Sequence, residues 1–163
     1  MTEMTDPGDA LALFQEAFEE GLIPLQPTQV DPDLQFARDR PNGRSRFNYM
    51  RAQGDTLTVL VMFAENGMVD GHPCFNIGYA VAEPYRGRGL AKSTLVAALA
   101  ELTQGLGAAG FPRFMIEAVI GVDHAVSQSV ARAVFDTVPT TMIDEVSGKP
   151  ALHFEWEIET ARR

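Results

Sequence analysis

The sequence predicts an α+β fold in which a mixed, mostly antiparallel sheet carries helices on its faces and contains one strand-helix-strand crossover. Apolar residues alternate between an early helix and Pro84, which is typical of strands, and after Pro84 they follow helical spacing. The resulting order is a helix, a three-stranded meander, a helix, a strand, a helix and two strands. Ligands of such sheets tend to bind at the strand ends beside the crossover, so we expect a site there.

Composition indicates one globular domain over residues 1–163. The chain has 163 residues, of which 45% are hydrophobic and 21% charged, a balance that allows a self-sufficient core. Its longest apolar run, Val59 to Ala64, is far shorter than the roughly 18 residues of a membrane span. The first residues lack the basic start of a signal peptide. We therefore expect a cytoplasmic protein with no membrane partner.

Charge, cysteine and histidine content limit which ligands and partners the protein is expected to bind. Thirteen basic against 22 acidic side chains give a net charge of −9, which disfavours nucleic acid and favours a cationic substrate. The single cysteine, Cys74, cannot close an intrachain disulfide and is interpreted as a small buried hydrophobe. The histidines, His72, His124 and His153, do not stand at metal-ligand spacing, so no metal is expected. The oligomeric state is left open, a homodimer included.

The first helix is predicted after Asp6, which offers a capping carboxylate ahead of Pro7. Its apolar residues stand at helical spacing: Leu11, Phe14, Phe18 and Leu22. The segment from Ile23 to Gly43 holds four prolines among charged residues and is too long for a simple connector. We expect it to form a short second helix or a mobile lid.

The meander is predicted from three runs of strand-forming residues. Arg46 to Arg51 and Thr56 to Ala64 form the first two strands, and Glu65-Asn66-Gly67 is a turn signal. The third strand runs from Phe75 to Val81, where Phe75, Ile77, Tyr79 and Val81 alternate with smaller residues.

Helical spacing returns after Pro84. Leucines at 95, 99, 102 and 106 share one face, and glycines at 105, 107 and 110 are expected to end the helix. A strand follows from Arg113 to Ile120, then a helix from Val126 to Phe135. The last two strands are Thr137 to Ile143 and Leu152 to Ile158; the latter has Leu152, Phe154, Trp156 and Ile158 inward.

The turn between the third strand and the second helix has the chemistry of an anion site. Strand-to-helix turns present backbone amides without intrahelical partners at the positive end of the helix dipole. Gly87 and Gly89 allow close approach to the backbone, and Arg86, Arg88 and Lys92 add positive charge. The sequence therefore predicts a phosphate-binding loop.

Spacing separates three phosphate-binding patterns. The dinucleotide fingerprint needs a third glycine where this chain has Lys92. The nucleotide-triphosphate loop ends in Gly-Lys-Ser, whereas Ala91 precedes Lys92 and Ser93 here. The pattern that fits is Arg-x-x-Gly-x-Ala, formed by residues 86 to 91.

In this loop and its surroundings the sequence resembles the GNAT superfamily of N-acetyltransferases, whose acetyl-CoA loop reads Arg/Gln-x-x-Gly-x-Gly/Ala between a strand and a helix. His124 and Ser127 stand where the family often has Asn-x-x-Ser, and the resemblance spans Phe47 to Phe135. It implies a GNAT-like sheet and acetyl-CoA as cofactor. The implied cofactor contacts are the amides around Val81 and Ala82 for the pantetheine arm, the residues Arg86, Gly87, Arg88, Gly89, Leu90, Ala91 and Lys92 for the diphosphate, and His124 and Ser127 near the thiol end. His124 and Ser127 serve equally well as a helix N-terminal cap.

Acetyl transfer to an amine calls for a base and for a proton on the departing thiolate. The available bases are Glu83, Glu117, Asp123 and His124, of which Glu117 is polar within an apolar strand and falls on the face opposite Ile116. The helical tyrosine that many members use as general acid falls on Ala131. Tyr79, Tyr85 and Ser127 are the candidate substitutes, or the thiolate leaves unassisted while proximity supplies most of the rate.

The sequence thus favours an acetyl-CoA-dependent N-acetyltransferase, in which an amine on a small molecule or protein attacks the thioester directly. A catalytically silent acyl-CoA-binding sensor or recruitment module is the alternative, favoured by Ala131. Binding of a nucleotide triphosphate is a third hypothesis, which predicts thermal stabilisation by ATP.

Overall fold

The computed structural model describes residues 6–160. It contains eight strands and three α-helices, whose bounds in chain order are α1 Pro7–Glu19, β1 Gln26–Pro27, β2 Gln35–Asp39, β3 Arg46–Gln53, β4 Thr56–Val69, β5 His72–Val81, α2 Leu90–Ala108, β6 Arg113–Gly121, α3 Ala125–Val134, β7 Thr140–Ile143 and β8 Pro150–Glu159. Within the described residues, no helix combines the length and apolar character needed to cross a membrane.

All eight strands form one sheet in the order β1-β2-β3-β4-β5-β6-β8-β7. Every neighbouring pair is antiparallel except β5 and β6, which are parallel. Parallel neighbours need a crossover connection, and α2 provides it. The mostly antiparallel mixed sheet with one strand-helix-strand crossover is therefore confirmed.

The two faces of the sheet carry separate cores. On one face α1 packs against β4 and β5, over Met50, Leu60 and Met62, which are 0% exposed. On the other face α2 and α3 cover a larger apolar cluster that includes Phe63, Phe114, Leu95, Ala131 and Phe154. Since α1 reaches only the middle strands, the α1-side surface of β6 and β8 lies outside its cover.

The first helix begins where the sequence predicts. The Asp6 carboxylate accepts hydrogen bonds from the amides of Gly8 and Asp9, at 2.9 and 3.1 Å. These two amides have no intrahelical acceptor, so the cap satisfies groups that the helix leaves unpaired.

The expectation of a second helix or mobile lid between Ile23 and Gly43 is wrong. The segment instead forms β1, β2 and a single 3₁₀ turn, and β2 pairs with β3 along its whole length. Strand pairing prevails because Leu34 and Ala37 are buried. The charged Asp39 finds a partner on β3, in an ion pair of 2.5 Å with Arg46.

The turn expected at Glu65-Asn66-Gly67 is also wrong. β4 continues to Val69, and the register with β5 shifts between Glu65 and Met68. Gly67 takes a φ of +75° in this bulge, while the reversal occurs at Asp70 and Gly71, both with positive φ. The Asn-Gly pair therefore bends the strand without ending it.

The helix predicted after Pro84, which is α2, continues through two of the glycines expected to end it. Gly105 and Gly107 lie inside α2, which ends at Ala108. Only Gly110, with a φ of +94°, lies beyond the helix end in a left-handed conformation. The next-to-last strand is shorter than expected and begins at Thr140 rather than Thr137.

Candidate functional site

The parallel strands β5 and β6 separate halfway along their length. They are paired only from Cys74 to Asn76 on β5 and from Met115 to Glu117 on β6. Both strands then continue without pairing, to Val81 and Gly121. The result is an opening between two strands of one sheet, which widens toward the N-terminal ends of α2 and α3.

Backbone groups of β5 face this opening. Ala82 donates its amide to the Thr58 carbonyl at 2.9 Å, so Val81 and its partner Val59 form a non-hydrogen-bonded pair. In an antiparallel ladder this directs the amide and carbonyl of Val81, and of Tyr79 two residues earlier, away from β4. The Ala82 amide, expected to contact a cofactor, is thus already paired with Thr58. The Val81 amide faces the opening, as do the amide and carbonyl of Tyr79, while the Val81 carbonyl accepts from Arg86.

The glycine-rich loop lies at the mouth of the opening. Gly87 and Gly89 have φ values of +78° and +72°, which favour glycine, and an added Cβ at either would point into open space. The first hydrogen bond of the helix runs from the Ser93 amide to the Gly89 carbonyl, at 3.1 Å. Among the backbone hydrogen bonds within residues 6–160, none uses the amides of residues 87–92. These amides are therefore free to donate to an anion, as the phosphate-binding loop expected from the sequence requires.

Three cationic side chains surround these amides. Arg86 donates from Nε to the Val81 carbonyl at 3.0 Å, which joins the loop to the end of β5. The Arg88 guanidinium lies 5.3 Å from the centre of the Tyr85 ring. Lys92 follows in the first turn of α2, and the three side chains are exposed. Locally the charge is therefore opposite to the net charge of −9 of the whole chain.

A cavity of about 560 Å³ adjoins the loop on the side of β3 and β4. Arg51 and Arg88 both line it. Arg51 also binds the Asp31 carboxylate at 2.7 Å and the Thr94 hydroxyl at 3.1 Å. The Arg51 hydrogen bond lowers the pKa of Asp31, so the charge of Arg51 is already balanced.

Tyr79 bridges the opening. Its hydroxyl donates to the Ser127 carbonyl in the first turn of α3, at 2.7 Å. Burial raises the pKa of Tyr79 to about 12. The Tyr79 hydroxyl already donates to Ser127, and its raised pKa makes it a poor acid. Tyr79 is therefore better suited to joining β5 to α3 than to protonating a departing thiolate.

We expect Tyr79→Phe to loosen this bridge without unfolding the protein. The change removes one hydrogen bond to a carbonyl in the first turn of α3, which costs about 1 kcal/mol. Because the bridge fixes the distance between β5 and α3, the affinity for coenzyme A, the cofactor that the sequence resemblance implies, should fall as well. Chemical denaturation and calorimetric titration measure the two effects; an unchanged affinity would contradict the role of Tyr79 in holding the opening.

Glu117 lies at the point where the strands part, on the α1 side of the sheet but beyond the strands that α1 covers. Cys74 on β5 contacts Glu117 Oε1 at 3.2 Å, and His153 Nε2 on β8 stands 3.3 Å from Glu117 Oε2. The side chain of Glu117 is 22% exposed, so it is reachable yet largely shielded. Its position opposite Ile116 follows the sequence prediction.

Cys74 is the small buried residue that the sequence predicts. It is 0% exposed, and burial, with the neighbouring Glu117 carboxylate, raises the pKa of the thiol to about 12. The thiol therefore stays protonated at neutral pH and acts as a weak hydrogen-bond donor to Glu117 rather than as a nucleophile.

The remaining base candidates lie in exposed positions. Asp123 and His124 are neighbours in the turn before α3, with side chains 73% and 68% exposed and 3.7 Å between Oδ1 and Nε2. His124 occupies the N-cap position, although its side chain makes no capping hydrogen bond. Glu83 is exposed in a 3₁₀ turn before the loop. Glu117 is thus the most shielded of the four.

Ala131 lies in the core. It is 0% exposed within the cluster under α2 and α3. Many members of the GNAT superfamily, which the sequence resembles, have a tyrosine at this position. Here the position holds no proton donor. The residue that sequence reasoning missed is His153, which it placed only as an outward residue of the last strand.

No family model matches the chain, and no curated protein matches it either. Solved structures do. RimL, described as a ribosomal L7/L12 alpha-N-protein acetyltransferase in complex with coenzyme A, has a TM-score of 0.55 and 19% identity, over 71% of this chain and 64% of that one. This chain thus spans just under two thirds of the RimL chain.

Two further structures have the same architecture. An acetyltransferase of the GNAT family from Bacillus anthracis has a TM-score of 0.50 and 17% identity, covering 74% of this chain and 69% of that one. The NatC complex bound to Gag peptide and CoA has a TM-score of 0.51 and 13% identity, covering 69% and 70%. This chain has the fold of the GNAT-family acetyltransferases, which confirms the fold expected from its sequence.

Proposed function

We propose that the protein is an acetyl-CoA-dependent N-acetyltransferase. The observation that carries the proposal is the set of amides at residues 87–92 that have no hydrogen-bond partner within residues 6–160. They are surrounded by Arg86, Arg88 and Lys92, at the mouth of the opening between β5 and β6. Amides and guanidinium groups are the donors that a diphosphate needs, and the two left-handed glycines keep side chains out of its way. The residues present therefore fit coenzyme A.

Each part of the opening has a role in this function. The amides of residues 87–91 hold the diphosphate, with Arg86, Arg88 and Lys92 adding charge. The main-chain groups of Tyr79 and Val81 pair with the pantetheine arm along the free edge of β5. His124 and Ser127, at the start of α3, flank the thiol end. The presence of coenzyme A in RimL and in NatC supports this assignment.

When bound, acetyl-CoA supplies an activated acyl group as its thioester. We assign Glu117 as the base that removes a proton from the attacking amine, because it is shielded and lies where β5 and β6 part. The amine approaches over the α1-side surface of β6 and β8, where Val119 is 40% exposed. Acyl transfer then proceeds by direct attack, with no covalent step on the protein.

The acceptor is an amine on a small molecule or a protein. RimL acts on ribosomal protein L7/L12 and NatC is bound to Gag peptide, which supports a protein amine here. The net charge of −9 supports a cationic acceptor and disfavours nucleic acid as a partner.

Incubation with acetyl-CoA and a panel of polyamines, amino acids and peptides tests the function. We expect release of free CoA thiol and a mass increase of one acetyl group on at least one amine. Saturable CoA binding without turnover on any amine would instead favour the silent binding module that the buried Ala131 supports. Stabilisation by ATP but not by CoA would contradict both.

A further inference from the structure

The α1-side surface of β6 and β8 holds two carboxylates with a histidine beside them. Glu117 on β6 and Glu155 on β8 are directly opposite each other in the antiparallel ladder. His153, two residues from Glu155 on the same strand, points to the same face. Its Nε2 is 3.3 Å from Glu117, and its Nδ1 is 3.6 Å from Glu155 Oε1.

Exposure increases outward along this chain of groups. Glu117 and His153 are each 22% exposed, whereas the side chain of Glu155 is 52% exposed. One ring nitrogen of the histidine faces the shielded carboxylate and the other faces the exposed one. Imidazole is the side chain that accepts a proton on one nitrogen while it releases one from the other.

Resting on the proposed function, we propose that His153 carries the proton taken up by Glu117 out to Glu155 and the solvent. An ammonium group loses two protons when it becomes an amide, as the new C–N bond replaces the C–S bond of the thioester. One of these protons ends on the leaving sulfur as free thiol, and the other has to reach water. His153 is therefore a relay residue that restores the base after each turnover, while Glu117 contacts the amine.

The other ionisable groups on this face leave the relay undisturbed. On β5, Cys74 is protonated and donates to the second oxygen of Glu117. At the far end, Arg113 on β6 is 3.6 Å from Glu157 on β8. The strand β7 contributes Thr140 opposite His153, which does not ionise at ordinary pH.

His153→Gln tests the relay, since glutamine can still donate a hydrogen bond to Glu117 but cannot take up one proton and release another. In the wild-type enzyme with the best amine of the panel, we expect normal turnover; in the variant, kcat should fall at least about tenfold and lose its wild-type pH profile. The KM for the amine and the affinity for CoA should stay within about twofold. His72→Gln, a matched change at the start of β5, should leave kcat unchanged.

His153→Ala with added imidazole separates a relay from a structural role. Saturable recovery of kcat by imidazole supports the relay, because the free base takes the place of the missing ring. A loss of kcat without recovery, or wild-type kcat in His153→Gln at every pH, would overturn the relay while the acetyltransferase function stands. Absence of turnover in the wild-type protein would overturn both.

Discussion

Replacing Glu117 with glutamine is expected to lower kcat by roughly 10²-fold or more, the range that a positioned general base contributes. An amine with a pKa of about 10.4 is almost fully protonated at neutral pH and has to lose a proton before it attacks. Glutamine has the same shape and still accepts a hydrogen bond from Cys74, so the fold and the CoA affinity should be preserved. Steady-state rates with the amine identified by the panel measure the effect.

Glu159→Gln is the matched control. Glu159 lies on β8 opposite Arg113, on the same face of the sheet and away from the point where β5 and β6 part. The control makes the same chemical change on the same surface and should leave kcat within about twofold. Equal kcat values for wild type and Glu117→Gln would assign the base elsewhere, with Asp123 and His124 next to be tested.

Replacing both Arg86 and Arg88 with alanine is expected to weaken CoA binding by roughly 10- to 100-fold. Charge-assisted hydrogen bonds contribute about 1.5–3 kcal/mol when formed, and less where water screens them, and each 1.4 kcal/mol is tenfold in affinity. Arg86 also joins the loop to Val81, so its removal loosens the loop itself. Isothermal titration at two salt concentrations gives both the affinity and its salt dependence.

The titrations at two salt concentrations show whether the arginines bind CoA through their charge or only support the shape of the loop. With two fewer cations at the diphosphate, the affinity of the double variant should depend less on salt than that of the wild type. Arg44→Ala, which removes an exposed charge before β3, should change neither quantity. A double variant that binds CoA with wild-type affinity would show that the diphosphate lies outside this loop.

The loop was predictable from sequence because its signal is local. Gly87 and Gly89 take the left-handed conformation for which glycine is suited. The free amides of the loop belong to these glycines and to the residues next to them in sequence. Alternation and helical spacing likewise predicted most elements, because burial on one face controls each residue choice. The order of those elements predicted the mixed sheet with one crossover, and the resemblance of the loop to the GNAT superfamily implied the GNAT-like architecture.

The elements that sequence missed depend on which residues of neighbouring strands meet. β2 was expected to be a helix or lid, since its charged residues carry no sign that Arg46 would pair with Asp39. The relay depends on the register between β6 and β8, which sets Glu117 opposite Glu155. Alternation placed His153 on an outward face, yet only the register shows which residue of the neighbouring strand it meets.

A structure of the protein crystallised with coenzyme A tests the central claim most directly. We expect the diphosphate oxygens to lie within hydrogen-bond distance of the amides of residues 87–91, with the pantetheine arm along Tyr79 and Val81 toward Glu117. Coenzyme A bound elsewhere, with the loop amides contacting only solvent, would contradict the assigned cleft and the chemistry built on it.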